Sequence, residues 1–121
     1  MLRVQILFLL VVSAIADVQY LDITTTENIT INVAVHGRGN SGQTLLLLHG
    51  FPEGQVVWDG FIRYMYQNDP TYQIIVPSLR GYNQSTIPSS ISDYAIPNLL
   101  DDLNSVMEAL YPTGKYWVIS Q

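Results

Sequence analysis

The residues of this 121-residue sequence that could do chemistry are few: two histidines, a short list of carboxylates, one rigid turn and no cysteine. The turn is His49-Gly50-Phe51-Pro52. Gly50 allows backbone angles closed to other residues, and Pro52 fixes its own φ and restrains Phe51. A turn held this way can aim a backbone N–H into a cleft. One such donor stabilises a developing oxyanion by about 3–4 kcal/mol. The plainer reading is a Gly-Pro turn between two buried elements. The absence of cysteine excludes a disulfide framework, a thiol nucleophile and thiolate metal sites. His36 and His49 alone make no metal cluster, and nothing calls for a cofactor.

What surrounds the turn must position it. Leu45-Leu46-Leu47-Leu48 is too short a run for an ordinary amphipathic helix and suits a strand buried on both faces of a parallel sheet. Beyond the turn, Trp58, Phe61, Ile62 and Met65 fall at i, i+3, i+4 and i+7, one apolar helical face. Strand, tight loop and helix follow one another. A loop at the carboxyl end of a parallel strand is where open α/β sheets bind ligands.

L-L-L-L-H-G-F-P-E, with Trp58 a few residues on, resembles the oxyanion loop of the α/β-hydrolases, most closely the epoxide hydrolases and haloalkane dehalogenases. The resemblance implies that Phe51 presents its backbone N–H to a developing negative oxygen, with His49, Gly50 and Pro52 as supports of the loop. A second signature agrees in part. Ser78-Leu79-Arg80-Gly81-Tyr82-Asn83-Gln84-Ser85 is similar to the family's acidic-Leu-Arg-Gly-Tyr-Gly turn, with Ser78 in place of Asp and Asn83 in place of Gly. Asn can adopt the left-handed backbone Gly would supply. A serine hydroxyl forms no ion pair with Arg80, so the same turn is expected with weaker electrostatic support. Arg80 is expected to stabilise the turn and not to touch substrate.

The fold class implied is α/β: an α/β-hydrolase half-fold, with an N-terminal antiparallel hairpin joined to parallel strands and two flanking helices. The hairpin is read from alternation over residues 18–24 and 29–36, with Ile29, Ile31, Val33 and Val35 on one face. His36 falls on the other, polar face and is read as an exposed structural histidine. Residues 37–42 carry three glycines but lead into a strand, which removes any support for a phosphate-binding loop. A second short buried strand covers residues 72–76, and residues 87–94 read as a surface loop. Ile96, Leu99, Leu100, Leu103, Val106, Met107 and Leu110 then mark a helix, with Pro97 in its first turn and Pro112 and Gly114 past its end. Asp101, Asp102 and Glu108 lie off that stripe and read as solvated charge. Residues 115–119 start a third buried strand. In the resembled enzymes this strand runs into the nucleophile elbow, with Gln121 just before the nucleophile.

Residues 1–16 combine Arg3, an apolar core and Ala14-Ile15-Ala16. They are read as a secretory signal cleaved before Asp17, leaving residues 17–121 as a partial hydrolase domain in the secretory pathway or outside the cell. An uncleaved anchor and a buried N-terminal helix are the alternatives. The stretch is shorter than the about 20 residues a spanning helix needs, so no stable membrane span remains after cleavage. Two N-x-[ST] sequons, at Asn28 and Asn83, are candidate glycosylation sites. A net charge of −5 without a basic run argues against nucleic acid as partner.

The resemblance implies the amino-terminal part of a secreted hydrolase. An Asp nucleophile would open a small apolar epoxide through an alkyl-enzyme ester, and a His–acid pair would activate the water that cleaves it. Nucleophile, acid and base lie outside this sequence. A Ser-nucleophile esterase or lipase of the same fold, acting on an ester, and a non-catalytic truncated product are the alternatives.

Overall fold

The computed structural model describes residues 17–121, so the leader read over residues 1–16 lies outside the described residues. Strand β1 (Val18–Thr24) turns through residues 25–29 into β2 (Thr30–His36). The two pair antiparallel in one unbroken register, from Val18↔His36 to Thr24↔Thr30. Strand β3 (Thr44–Leu48) leads through a 3-10 turn (Gln55–Trp58) into helix α1 (Asp59–Asn68), which returns to β4 (Gln73–Pro77). A second 3-10 turn (Ile91–Tyr94) opens helix α2 (Ile96–Leu110), followed by β5 (Tyr116–Ser120). The five strands lie in the order β1-β2-β4-β3-β5. β3 is parallel to both neighbours, β4 and β5, while β2 runs antiparallel to β4.

The leucine run is buried on both sides because each side carries a helix. Leu45 and Leu47 pack with Trp58, Ile62 and Tyr66 on the α1 face, together with Ala34, Ile74 and Val76. Leu46 points the other way, to Val106 and Met107 of α2, with Ile31, Val33, Val35 and Ile75. Each such side chain removed from water contributes about 1.5–3 kcal/mol. On α1 the inward line is Trp58, Ile62 and Tyr66, with Phe61 and Met65 half-buried beside it. Tyr66 also donates its hydroxyl to the Tyr72 carbonyl at 2.9 Å, tying the end of α1 to the start of β4. Burial pushes its phenol up to about 12.

Three expectations from the sequence are corrected. His36 is not exposed: the polar face of β2 lies beneath α1, and His36 is half-buried beside Asp59, Ile62, Arg63 and Tyr66 around a cavity of about 190 Å³. Burial holds its imidazole below the usual value, and the Asp59 charge works against that shift. Strand β5 is not buried. Among the described residues it is an edge strand of the sheet, and Tyr116, Trp117 and Val118 are exposed. Asp102, read as solvated charge, is only 2% exposed, whereas Ile96 and Leu100 of the expected apolar stripe stand open. The first half of α2 lies against Arg80 and the loop around Asp93, so the inward position there goes to a group that can pair with a cation.

Candidate functional site

The loop that leaves β3 is held from below by a buried imidazole. His49 is 3% exposed, and its Nε2 accepts the backbone N–H of Leu79 at 3.1 Å. An amide donor requires a lone pair on that nitrogen, so the ring proton sits on Nδ1, 3.3 Å from the Gly50 carbonyl oxygen. Tyr82 packs edge-on against the ring, with centroids 4.6 Å apart. One side chain thereby joins the His49-Gly50-Phe51-Pro52 turn to the turn that follows β4. The Gly50 carbonyl also accepts the Glu53 N–H at 2.9 Å, which closes the turn, and the Phe51–Pro52 peptide is cis. Phe51 and Pro52 stand outside, the Phe51 residue 90% exposed.

Gly50 is needed for a different reason from the one its type suggests. The glycines at positive φ are Gly37, Gly39 and Gly81. At Gly50 a Cβ would stand 2.9 Å from the Gln121 carbonyl oxygen. The loop and the end of β5 are therefore in contact. Parallel pairing carries β5 alongside β3 as far as Leu48↔Ser120, and the Gln121 N–H then donates to the Leu48 carbonyl at 3.2 Å. The cavity at His36 and the larger cleft edged by Tyr111, Tyr116 and Trp117 are lined by none of residues 49–52.

The turn after β4 is the more heavily bonded of the two. Ser78 is fully buried; its N–H donates to the Asn32 carbonyl at 2.8 Å and its carbonyl accepts the Ser85 hydroxyl at 2.6 Å. The Ser85 oxygen in turn accepts the Asn32 N–H at 2.9 Å, which anchors the turn to β2. Asn83 adopts the left-handed conformation at φ 46° that Gly would supply, and its Nδ2 donates to the Ser78 hydroxyl at 3.1 Å. Gly81, at φ 89°, lies so close to Tyr94 that a Cβ would meet the ring at 2.8 Å.

Arg80 stabilises this turn, as expected, but the electrostatic support is not weak. The support comes from Asp102 of α2, which pairs with Arg80. Arg80 Nε lies 2.6 Å from Asp102 Oδ2 and Nη2 lies 2.7 Å from Oδ1. The Asp93 and Asn98 carbonyls accept from Nη1 and Nη2 at 2.6 and 3.3 Å. Hydrogen bonding to Asp102 holds the guanidinium above its usual value, with burial opposing. With 2% of the residue exposed, Arg80 has no face left for substrate. Asp102 was missed because helical periodicity counts apolar positions only. The available signal was Arg80 itself, a cation with no carboxylate beside it in sequence.

Of the other chemistry-bearing residues, Asp101 and Glu108 are exposed, as read from the sequence, and Asn28 stands in the exposed β1–β2 turn. Among the described residues no group of acidic or histidine side chains could hold a metal ion. Among them, too, no helix is long and apolar enough to cross a membrane.

Residues 43–119 match the family model described as alpha/beta hydrolase fold. The chain is 42% identical over 78 residues to the AB hydrolase superfamily protein YfhM of Bacillus subtilis, covering 64% of this chain and 26% of YfhM. It is 33% identical over 84 residues to epoxide hydrolase 2 of Caenorhabditis elegans, covering 69% of this chain and 22% of that protein. Among solved structures it superposes on epoxide hydrolase VrEH1 of Vigna radiata with a TM-score of 0.74 at 29% identity. That match takes in 86% of this chain and 30% of VrEH1. The chain thus spans less than a third of each of these relatives.

Proposed function

Since the chain belongs to the α/β-hydrolase fold family, we propose that it is the amino-terminal part of a secreted epoxide-hydrolase-like enzyme and supplies that enzyme's oxyanion loop. The observation that carries this reading is the contact between Gly50 and Gln121 at the ends of two parallel strands. A residue following Gln121 would emerge against the loop. In the epoxide-hydrolase reading that segment brings an Asp nucleophile. Its carboxylate attacks an epoxide carbon, the ring C–O bond breaks, and an alkyl-enzyme ester forms. Water, activated by a His–acid pair elsewhere in the protein, then adds to the ester carbonyl. The Phe51 N–H would donate to the oxygen that becomes negative in that step, an interaction worth about 3–4 kcal/mol.

His49 serves this reading as a support: neutral, buried and bonded to Leu79, it fixes the loop without touching the reacting atoms. The open Phe51 side chain fits a wall that a further layer of the protein would cover. A small apolar epoxide is the proposed substrate class, and the leader at residues 1–16 is the proposed route to the exterior.

The test begins with the coding sequence beyond Gln121, where an Asp-Trp-Gly continuation is expected. The complete protein should then hydrolyse an epoxide with saturable kinetics and, in a single turnover, accumulate a covalent ester. A Ser-x-Gly continuation with ester hydrolysis would replace this reading by the esterase. Residues 17–121 alone should be inactive, because oxyanion stabilisation without an attacking group gives no covalent step.

A further inference from the structure

We propose that the folded protein carries an N-linked glycan at Asn28 and none at Asn83, although the two sequons are equal as sequence. The proposal rests on the secretory reading, because the sugar donor on that route is a lipid-pyrophosphate-linked oligosaccharide. The asparagine Nδ2 attacks the anomeric carbon of the donor. An N–C bond forms, the C–O bond to pyrophosphate breaks and leaves its electron pair on the lipid pyrophosphate, and the amide nitrogen loses a proton. The nitrogen must therefore be reachable, and afterwards the fold must hold a sugar bonded to it.

Asn28 meets both conditions. It lies at the exposed tip of the β1–β2 turn at φ 60°, with its backbone N–H donating to the Thr25 carbonyl at 3.1 Å. Among the described residues neither its side chain nor the Thr30 hydroxyl enters a hydrogen bond; Asn28 is exposed, and Ile29 and Thr30 are half-buried beside it.

Asn83 is exposed as a residue, but it fails the second condition. Its Nδ2 donates to the Ser78 hydroxyl at 3.1 Å, and on another side it is packed against the backbone of Gly54, where a single added carbon would stand 2.7 Å from that nitrogen. The hydroxyl of its sequon belongs to Ser85, which is 4% exposed and engaged twice, donating to the Ser78 carbonyl and accepting from the Asn32 N–H. A sugar on Nδ2 displaces the amide from between Ser78 and Gly54 and opens the turn. Chains modified there are lost from the folded pool.

The experiment expresses the 121-residue chain in secreting eukaryotic cells, in one arm with its own leader and in the other with an established secretion signal before Asp17. Peptide mass spectrometry after enzymatic deglycosylation in ¹⁸O-water reads occupancy at each site, in the soluble secreted fraction and in the whole-cell pool. With the established signal, Asn28 should be occupied in most secreted molecules, and Asn83 occupancy there should fall several-fold below its level in the cell pool. Asn28→Gln should abolish the glycan mobility shift of secreted protein, and Asn83→Gln should leave it unchanged. Equal occupancy of the two sites in secreted protein, or a bare Asn28 in that arm, overturns the inference. Failure of the native-leader arm alone counts against the secretory reading and leaves the site assignment standing on the other arm.

Discussion

The guanidinium of Arg80 and the carboxylate of Asp102 face one another in a two-pronged ion pair, with 2.6 and 2.7 Å between donors and acceptors and neither residue more than 2% exposed. The pair fastens α2 to the turn after β4. That same turn offers the Leu79 N–H to His49, so the ion pair and the His49-Gly50-Phe51-Pro52 loop are tied to one segment. Glu27 adds little to it, being 3.7 Å away and about half exposed, where water screens the charge.

Removing one member of such a pair leaves the other buried and unpaired, at a cost of about 3–5 kcal/mol, whereas an apolar pair of similar volume is often neutral. Asp102→Ala should therefore lower the urea midpoint steeply, and the double variant Arg80→Met/Asp102→Leu should recover most of the loss. Asp101→Ala, next in sequence but exposed, serves as the reference. If Asp102→Ala and Asp101→Ala cost the same, the pair does not hold the turn.

Periodicity located the elements because it reports burial by a sheet or helix, and the leucine run, the hairpin and α2 were all visible that way. What it did not convey was which polar groups go inside. Asp102 is buried and His36 half-buried by what packs across from them, Arg80 in one case and α1 in the other, and neither partner is a neighbour in sequence. Similarly, the turn residues 49–52 were legible by type, but the reason for Gly50 was not. The close approach of Gln121 depends on β5 lying beside β3, a pairing across more than sixty residues of chain.

His36 makes stability depend on pH in a stated direction. Burial sets its folded pKa below the unfolded value of about 6.5. Between those two values the unfolded chain binds more protons than the folded one, so stability rises with pH across that window. Stability should be fully present above about pH 6.5 and decline as pH falls through the window. Urea titrations at about pH 7.5 and about pH 5.5, either side of the imidazole's ordinary value, should show a smaller drop for His36→Gln than for the parent chain. An unchanged drop would mean that other groups set the acid dependence.

Gly50→Ala should be costly where Gly60→Ala is not. A methyl at position 50 meets the Gln121 carbonyl at 2.9 Å, a backbone atom that can yield only by moving β5 or the loop. Overpacking of this kind costs about 1–3 kcal/mol. At Gly60, the second residue of α1, an added carbon meets nothing within 4 Å, and alanine there should not destabilise the fold. Under the proposed function, Gly50→Ala in the full-length protein should also lower turnover by up to about a hundredfold, the scale of a displacement near 1 Å at a reacting centre. Thermal melts of both variants, with turnover measured on the full-length protein, decide the point.

Strand β5 should govern how the 121-residue chain behaves in solution. It pairs with β3 on one side only, and Trp117 and Val118 are 65% and 55% exposed on opposite faces of it. An apolar strand with an unpaired edge is a template for pairing with another chain, and a lysine on such an edge is a common natural guard against it. The purified chain should therefore associate as its concentration rises, and Val118→Lys should shift sedimentation profiles toward monomer while leaving the circular dichroism of the fold unchanged. Asp101→Lys, the same new charge on the exposed side of α2, controls for a simple change in net charge. If it suppresses association as well as Val118→Lys does, repulsion between molecules explains the effect and the open edge of β5 does not.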